Sequence, residues 1–331
     1  MTASFIHIGL GKCASTSLQT LWANSENYNY GSLNPLATHI TNLIRDKKND
    51  LDSAVDAIQS INVELPKLDN NKMNVFSSEG VTFSFIEDFQ NGHLTQLKQQ
   101  AMAVLLKGLC SKVLMLVRDP IEWIVSAHAQ HVKEGGSASF EEYLVGAKET
   151  IYHNLNINFI KSVFEEQGFE VVILPIELIK TSEKEFWKVY TDKLGIAKPT
   201  FVNFPNDKRS ANITNLESIP LHTQLNKILE EISLLVEKSS SYVGEENKRI
   251  LEALELSKRW GTRAALHELS KTELERFNRL LHVDSLALNS GFTTDTALKT
   301  HLQNNFIEPL SAKGVFPFHD ILTTYKASVG S

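Results

Sequence analysis

Residues 9–18, Gly-Leu-Gly-Lys-Cys-Ala-Ser-Thr-Ser-Leu, have the composition of an anion-binding loop. They follow a short apolar run, 5–8, which predicts a buried strand ending in a glycine turn. Glycines let backbone amides approach an anion closely, and the first turn of a following helix adds N–H donors and partial positive charge. Lys12 would add a full charge. The candidate contacts to a phosphate or sulfate group are Gly11, Lys12, Cys13, Ala14, Ser15, Thr16 and Ser17.

Two common nucleotide-binding loops fit this segment poorly. The triphosphatase motif needs glycine at position 6 and a hydroxyl at position 13, where the chain has Ile6 and Cys13. The dinucleotide fingerprint tolerates Ala14 as its last small residue, but a lysine between the glycines and the helix is unusual there. A glycine turn with a capping serine is the structural alternative.

A second group of residues follows the strongest predicted strand, 113–117, whose uninterrupted apolar run is typical of a parallel strand covered on both faces. Arg118 comes directly after it, where open α/β sheets bind ligands. Asp119 and Pro120 predict the N-cap and first residue of a helix, and Ser126 lies about two turns into that helix. An arginine with a hydroxyl suits a phosphate group. A structural ion pair of Arg118, with Ser126 bonded to its own helix, is the alternative.

Strands alternate with helices from residue 4 to about 195, which predicts an α/β, P-loop-like three-layer fold with a central parallel sheet. Ser182 with Glu185 forms a capping box, and Gly195 closes the same predicted helix. After about residue 215 only helical stripes remain. We therefore expect an α/β domain at 1–215 and a mostly helical C-terminal region at 216–331, on the acceptor side, as a lid or in oligomerisation.

The two groups together resemble the sulfotransferases that use 3′-phosphoadenylyl sulfate (PAPS), in their carbohydrate-type and bacterial branch. Residues 9–18 are similar to the loop that binds the 5′-phosphosulfate, and Arg118 with Ser126 is similar to the 3′-phosphate motif. The strand-then-acid segment 171–178 is a third similarity. The resemblance covers about residues 4–215 and departs from the family at Cys13-Ala14.

The resemblance implies transfer of a sulfuryl group from PAPS to a hydroxyl or amine, leaving adenosine 3′,5′-bisphosphate. Lys12 would stabilise charge on the departing phosphate. Glu79 matches the catalytic base of glycosaminoglycan-type members, with a helix-cap carboxylate as the alternative. His128, in the Ser126 helix, could reach the acceptor or the nucleotide. Arg209 is a candidate nucleotide contact, or part of a solvated basic turn.

The composition of the chain argues against several other classes of protein. With 42% apolar and 22% charged residues the chain is not a disordered protein, and its net charge of −6 disfavours a general nucleic-acid binder. Two cysteines fit a reducing compartment. We predict no signal peptide and no membrane span, and we expect a cytoplasmic protein. We expect its acceptor to be a small molecule or a carbohydrate, and we expect no metal ion. A homo-oligomer is compatible with the sequence. An atypical nucleotide kinase and a non-catalytic binding module remain the alternatives.

Overall fold

The computed structural model describes residues 4–11, 13, 15–46, 56, 58, 66–85, 93–133, 135–200, 223, 226–227, 300, 303–304 and 308. They fall into two compact units, one within 1–123, 147–205 and 301–331, the other within 124–146 and 206–300. Most of the predicted helical region at 216–331 lies outside the described residues. The domain boundary at 215 lies outside them too and stays a prediction.

The first unit contains a five-stranded parallel sheet, which confirms the predicted α/β fold. Its strand order is β2-β3-β1-β4-β5, and all four pairings are parallel. The neighbouring inner strands β1 and β4 are each buried along five of their six residues, and burial of both faces accounts for the uninterrupted apolar run of β4. The strands are β1 Ser4–Gly9, β2 Tyr28–Ser32, β3 Met73–Ser77, β4 Lys112–Val117 and β5 Glu170–Pro175.

Helices flank the sheet and connect its strands. A short 3₁₀ turn, Glu79–Val81, follows β3. The helices of the described residues are α1 Ser15–Ala23, α2 Asn34–Asp46, α3 His93–Leu105, α4 Pro120–Lys133, α5 Phe140–Gly146, α6 Lys148–Leu155, α7 Ile157–Glu166, α8 Glu177–Thr181 and α9 Glu183–Leu194.

The predicted helix ends are confirmed by hydrogen bonds. The Glu122 amide donates to Asp119 Oδ1 at 3.0 Å, so Asp119 caps α4, which begins at Pro120. The Glu185 amide donates to the Ser182 hydroxyl at 3.3 Å at the start of α9. Gly195, at φ 69°, ends that helix in the left-handed conformation that favours glycine.

The sheet order fixes where a ligand would bind. From β1 the chain passes through α1 to β2 on one side of the sheet, whereas from β4 it passes to β5 on the other side. The connections of these two neighbouring strands therefore diverge at their carboxyl ends. Such a switch point is the usual ligand site of an open parallel sheet. Here it brings the β1–α1 loop next to the end of β4.

Candidate anion and acceptor sites

The β1–α1 loop is held close to β4 and α4. A Cβ on Gly9 would lie 2.7 Å from the backbone carbonyl oxygen of Leu116, so the close approach of the strands requires glycine there. The Leu10 amide donates to the same Leu116 oxygen at 3.3 Å. The Gly11 carbonyl accepts from the buried indole Nε1 of Trp123 at 2.8 Å. These bonds hold the loop between the end of β4 and the start of α4.

Cys13, in the β1–α1 loop, is buried, and charged groups of three other segments act on its thiol. Burial raises the pKa of the Cys13 thiol well above its ordinary value, and the carboxylate of Glu79 raises it further. The guanidinium of Arg118 acts in the opposite direction, and Glu177 raises the pKa again. The thiol therefore stays protonated at neutral pH. Glu79, Arg118 and Glu177 are thus the charged groups that act on this thiol.

Ser15, the first residue of α1, has a buried hydroxyl that makes no hydrogen bond within the described part of the chain. A buried polar group without a partner costs about 1–3 kcal/mol, so such groups normally have one. At a helix N-terminus an anion oxygen is a suitable partner. Thr16 and Ser17 are exposed on the same turn. Lys12, Ala14 and Arg209 lie outside the described residues.

Arg118 follows β4 and is paired with a carboxylate of its own segment. Its Nη2 and Nε donate to Glu122 Oε2 at 2.9 and 3.3 Å. The side chains are 21% and 42% exposed, and a pair of this exposure contributes about 0–1 kcal/mol. The ion pair therefore holds Arg118 weakly enough for a phosphate to replace Glu122. The sequence had left this pairing open as an alternative to phosphate binding.

A second acid, Glu177, orients the turn that contains Arg118. Glu177 begins α8 directly after β5, and its Oε1 accepts the Asp119 amide at 3.0 Å. In the sequence, Glu177 is recognisable only as the acid that follows the predicted strand of segment 171–178. Its contact with Asp119 depends on the pairing of β4 with β5.

Glu79, the predicted base, lies against the predicted anion loop. It is half-buried, and its Oε2 is 3.4 Å from the position that a Cβ on Gly11 would occupy. The turn that carries Glu79 is tied to β1, because the Ser78 amide donates to the His7 carbonyl at 3.2 Å and the Thr82 hydroxyl donates to the Gly9 carbonyl at 3.3 Å. The structure thus brings Glu79 and the loop together.

A polar network behind Glu79 joins three elements. Ser77 Oγ lies 2.8 Å from His7 Nδ1 and accepts from Gln19 Nε2 at 3.0 Å. Burial lowers the pKa of His7 to about 3, so its ring is neutral at ordinary pH. The network fixes α1 relative to β1 and β3, although none of its members was a sequence-predicted site residue.

A cavity of about 530 Å³ opens beside Glu79. Its walls come from α1, α2, the 3₁₀ turn, Phe83, Phe85 and α3. Thr16 of the candidate anion loop and Glu79 both line it, so the cavity adjoins the predicted donor site. Sequence reasoning missed two cations in its wall, Arg45 and Lys98. The polar face of α2 was the available signal for Arg45.

Ser126 and His128 belong to the second compact unit. His128 is buried, its Nε2 lies 3.0 Å from the Ala138 carbonyl oxygen, and burial lowers its pKa to about 4. A neutral ring therefore donates to a backbone carbonyl at this position. Ser126 is half-buried. The roles that the sequence analysis gives to Ser126 and His128 stay predictions.

Within the described ranges, no group of three or more His, Cys, Asp and Glu side chains could hold a metal ion. No helix in the described part of the chain is long and apolar enough to cross a membrane.

Comparison with known proteins gives distant structural likeness alone. The chain matches no protein-family profile and no curated protein. The crystal structure of a sulfotransferase from Alicyclobacillus acidocaldarius is similar with a TM-score of 0.40 and 15% identity, covering 72% of this chain and 96% of that one. A likeness of this degree leaves the function to be judged from the site's own residues.

Proposed function

We propose that this protein is a PAPS-dependent sulfotransferase that transfers a sulfuryl group to a hydroxyl of an acceptor bound beside Glu79. The observation that carries the proposal is the position of Glu79 against the β1–α1 loop at Gly11, where that loop is bonded to the end of β4 just before Arg118, at the switch point of the sheet. A sulfotransferase needs these three functions in one place: a base, a phosphate contact and a phosphosulfate loop.

The donor's phosphosulfate lies on the β1–α1 loop. The N-terminal amides of α1 supply donors and partial positive charge there, and the buried Ser15 hydroxyl gains a partner. Thr16 and Ser17, exposed on the first turn, add hydroxyls. Lys12 adds the full positive charge that the resemblance assigns to it.

The 3′-phosphate of the donor binds Arg118. The guanidinium exchanges its half-exposed partner Glu122 for a phosphate, which offers more charge and more acceptor oxygens. The resemblance assigns further nucleotide contacts to Ser126 and Arg209.

The transfer step uses Glu79 as general base. The Glu79 carboxylate takes the proton of the acceptor hydroxyl as its oxygen attacks sulfur. The new bond joins the acceptor oxygen to sulfur, while the bond between sulfur and the bridging phosphate oxygen breaks in line. Adenosine 3′,5′-bisphosphate leaves with the electron pair, and Lys12 stabilises that charge. The contact between Glu79 and the loop at Gly11 supplies the alignment that such a step requires.

Calorimetric titration of the purified protein with adenosine 3′,5′-bisphosphate and with ATP–Mg tests the donor assignment. The bisphosphate should bind tightly and ATP–Mg weakly. Arg118→Ala should weaken bisphosphate binding about 10–100-fold, because a charge-assisted phosphate contact is lost. Lys188→Ala, which removes an exposed charge from α9, is the matched control and should change nothing. Tighter binding of ATP–Mg, or an Arg118→Ala variant that binds like the parent, would contradict the assignment.

A further inference from the structure

Two buried serines directly before Glu79 each bind a carboxamide side chain of the cavity wall. Ser77 ends β3, and Ser78 is also extended, with φ −160° and ψ 134°. Successive side chains of an extended chain point to opposite sides. Their partners Gln19 and Asn34 therefore lie on opposite sides of the chain that leads to Glu79, and both line the cavity.

Ser77 fixes the Gln19 amide through its nitrogen. Gln19 Nε2 donates to Ser77 Oγ at 3.0 Å. On its other side the Ser77 hydroxyl lies 2.8 Å from Nδ1 of the neutral His7 ring, which can take the hydroxyl hydrogen. Gln19 Oε1 has no hydrogen-bond partner among the described residues. Because Gln19 lies one turn of α1 after Thr16, this oxygen is available to a ligand beside the candidate anion loop.

Ser78 fixes the Asn34 amide in the opposite sense, through its oxygen. Ser78 Oγ donates to Asn34 Oδ1 at 2.5 Å. Asn34 is exposed at the start of α2, and within the described part of the chain its Nδ2 group has no hydrogen-bond partner. The cavity wall thus offers a carbonyl oxygen on one side of the turn that carries Glu79 and an amide N–H on the other.

The polarity of this pair of carboxamides matches a secondary amide. A trans secondary amide has its N–H and its carbonyl on different atoms, and they point in opposite directions. A single hydroxyl has both functions on one oxygen and fits two opposite walls less well. The rings of Phe83 and Phe85 line the same cavity, packed edge to face with centroids 4.8 Å apart. Phe85 is 44% exposed, so these rings offer an apolar surface to an acyl chain.

We propose that the preferred acceptor is an N-acylated 1,2-amino alcohol, with its N–H bound by Gln19, its carbonyl oxygen bound by Asn34 and its hydroxyl at Glu79. This rests on the proposed function, since it takes Glu79 as the base. The hydroxyl oxygen bonds to sulfur, its proton passes to Glu79, and adenosine 3′,5′-bisphosphate leaves with the electron pair of the broken S–O bond. Gln19 and Asn34 are then specificity-determining residues, and Ser77 is a positioning residue that acts through Gln19.

The experiment compares sulfuryl transfer from PAPS to two acceptors that differ in one group. One is N-hexanoylethanolamine, and the other is its ester analogue, 2-hydroxyethyl hexanoate, which has the same carbonyl and hydroxyl but no N–H. Mass spectrometry of the sulfated products gives kcat/KM for each acceptor. The parent protein should prefer the amide about tenfold, because the ester leaves the Gln19 oxygen without its hydrogen bond.

Four variants separate the contacts. Gln19→Met has a side chain of similar length without the acceptor oxygen, so it should lose the preference and still sulfate the ester. Ser77→Ala should reduce the preference, because the Gln19 amide is no longer oriented. Asn34→Asp keeps the oxygen that accepts from Ser78 but lacks the N–H, so it should slow both acceptors about tenfold and keep the preference. Gln100→Met changes an exposed glutamine of α3 outside the cavity wall and should change neither rate.

Each outcome supports or overturns the inference. A parent protein that uses the two acceptors equally, or that binds adenosine 3′,5′-bisphosphate but sulfates neither, overturns it, and so does a Gln19→Met variant that keeps the preference. A purely structural role of Gln19 or Ser77 would slow both acceptors alike and leave their ratio unchanged. Because the ratio is measured within each variant, a partial loss of folded protein cancels. Failure of the bisphosphate itself to bind would instead overturn the proposed function, and this inference with it.

Discussion

The carboxylate of Glu79 lies against the backbone of Gly11, with Oε2 3.4 Å from the point where a side chain would begin. The two residues are 68 positions apart in the chain, and they meet because β3 and β1 are neighbours in the sheet. A carboxylate in this position faces the β1–α1 loop on one side and the cavity on the other. It can therefore accept a proton from an acceptor hydroxyl directed at the donor.

Replacement of Glu79 by glutamine should separate catalysis from donor binding. We expect sulfuryl transfer to fall about 10²–10⁴-fold, because the general base is lost. Bisphosphate binding should stay the same or become tighter, since a negative charge beside the phosphate loop is removed. Steady-state transfer rates and calorimetry measure the two effects. Loss of bisphosphate binding in Glu79→Gln would point to a structural role for this carboxylate.

Replacement of Glu122 by glutamine should tighten bisphosphate binding up to about fivefold. The carboxylate competes with the 3′-phosphate for Arg118, and the half-exposed pair contributes no more than about 1 kcal/mol. Glu165→Gln breaks another pair of the same i,i+4 spacing, Lys161 with Glu165 at 3.5 Å, and should leave binding unchanged. Weaker binding in Glu122→Gln would mean that Glu122 positions Arg118 for the ligand rather than competing for it.

Removal of the Ser15 hydroxyl should change stability and binding in opposite directions. Ser15→Ala deletes a buried hydroxyl that has no partner in the described structure, so the unliganded protein should be as stable or more stable. Bisphosphate binding should weaken about tenfold, because the 5′-phosphate loses a hydrogen bond. Urea unfolding and calorimetry give the two quantities.

Thr95 offers a matched control for Ser15. Its Oγ1 is also buried with no hydrogen bond among the described residues, but Thr95 is in α3 and does not line the cavity. Thr95→Val should share the effect on stability and leave nucleotide binding unchanged. Equal binding by Ser15→Ala and the parent would contradict the position assigned to the phosphosulfate.

The pH dependence of stability should reflect the buried His7. Burial lowers its pKa from 6.5 to about 3, so between these values the unfolded state binds more protons than the folded state. Stability contributed by the neutral ring is therefore present above pH 6.5 and falls as the pH decreases, by at most about 1.4 kcal/mol per pH unit. Urea unfolding between pH 7.5 and 5 should show a shallower loss in His7→Asn. An unchanged pH slope in His7→Asn would contradict this account.

The sequence alone predicted those strands and helices whose signals lie within a few neighbouring residues. The apolar run 113–117 predicted β4, and Asp119-Pro120 predicted the start of α4. β2 was missed because it is an edge strand, Tyr-Asn-Tyr-Gly-Ser, with no apolar run. α2 was missed although its buried Leu36, Ile40 and Ile44 have helical spacing.

The site could be predicted only as separate pieces. The loop, Arg118 and Glu79 each followed a predicted strand, so their types and positions were readable from the sequence. Their convergence depends on strand order, which local patterns do not encode. The partner Glu122 could have been suspected from its i,i+4 spacing. The place of Arg45 in the cavity could not, because it requires the packing of α2 beside Glu79.

The most direct test gives the protein PAPS and ATP–Mg together with a hexasaccharide as a polyhydroxylated acceptor. Mass spectrometry then follows both nucleotides and the saccharide. This account predicts that PAPS is consumed, that the saccharide gains a sulfuryl group, and that adenosine 3′,5′-bisphosphate forms in equal amount while ATP remains. Consumption of ATP with phosphorylation of the saccharide would identify a kinase. If neither nucleotide is consumed, the central claim is contradicted and the non-catalytic binding module is favoured.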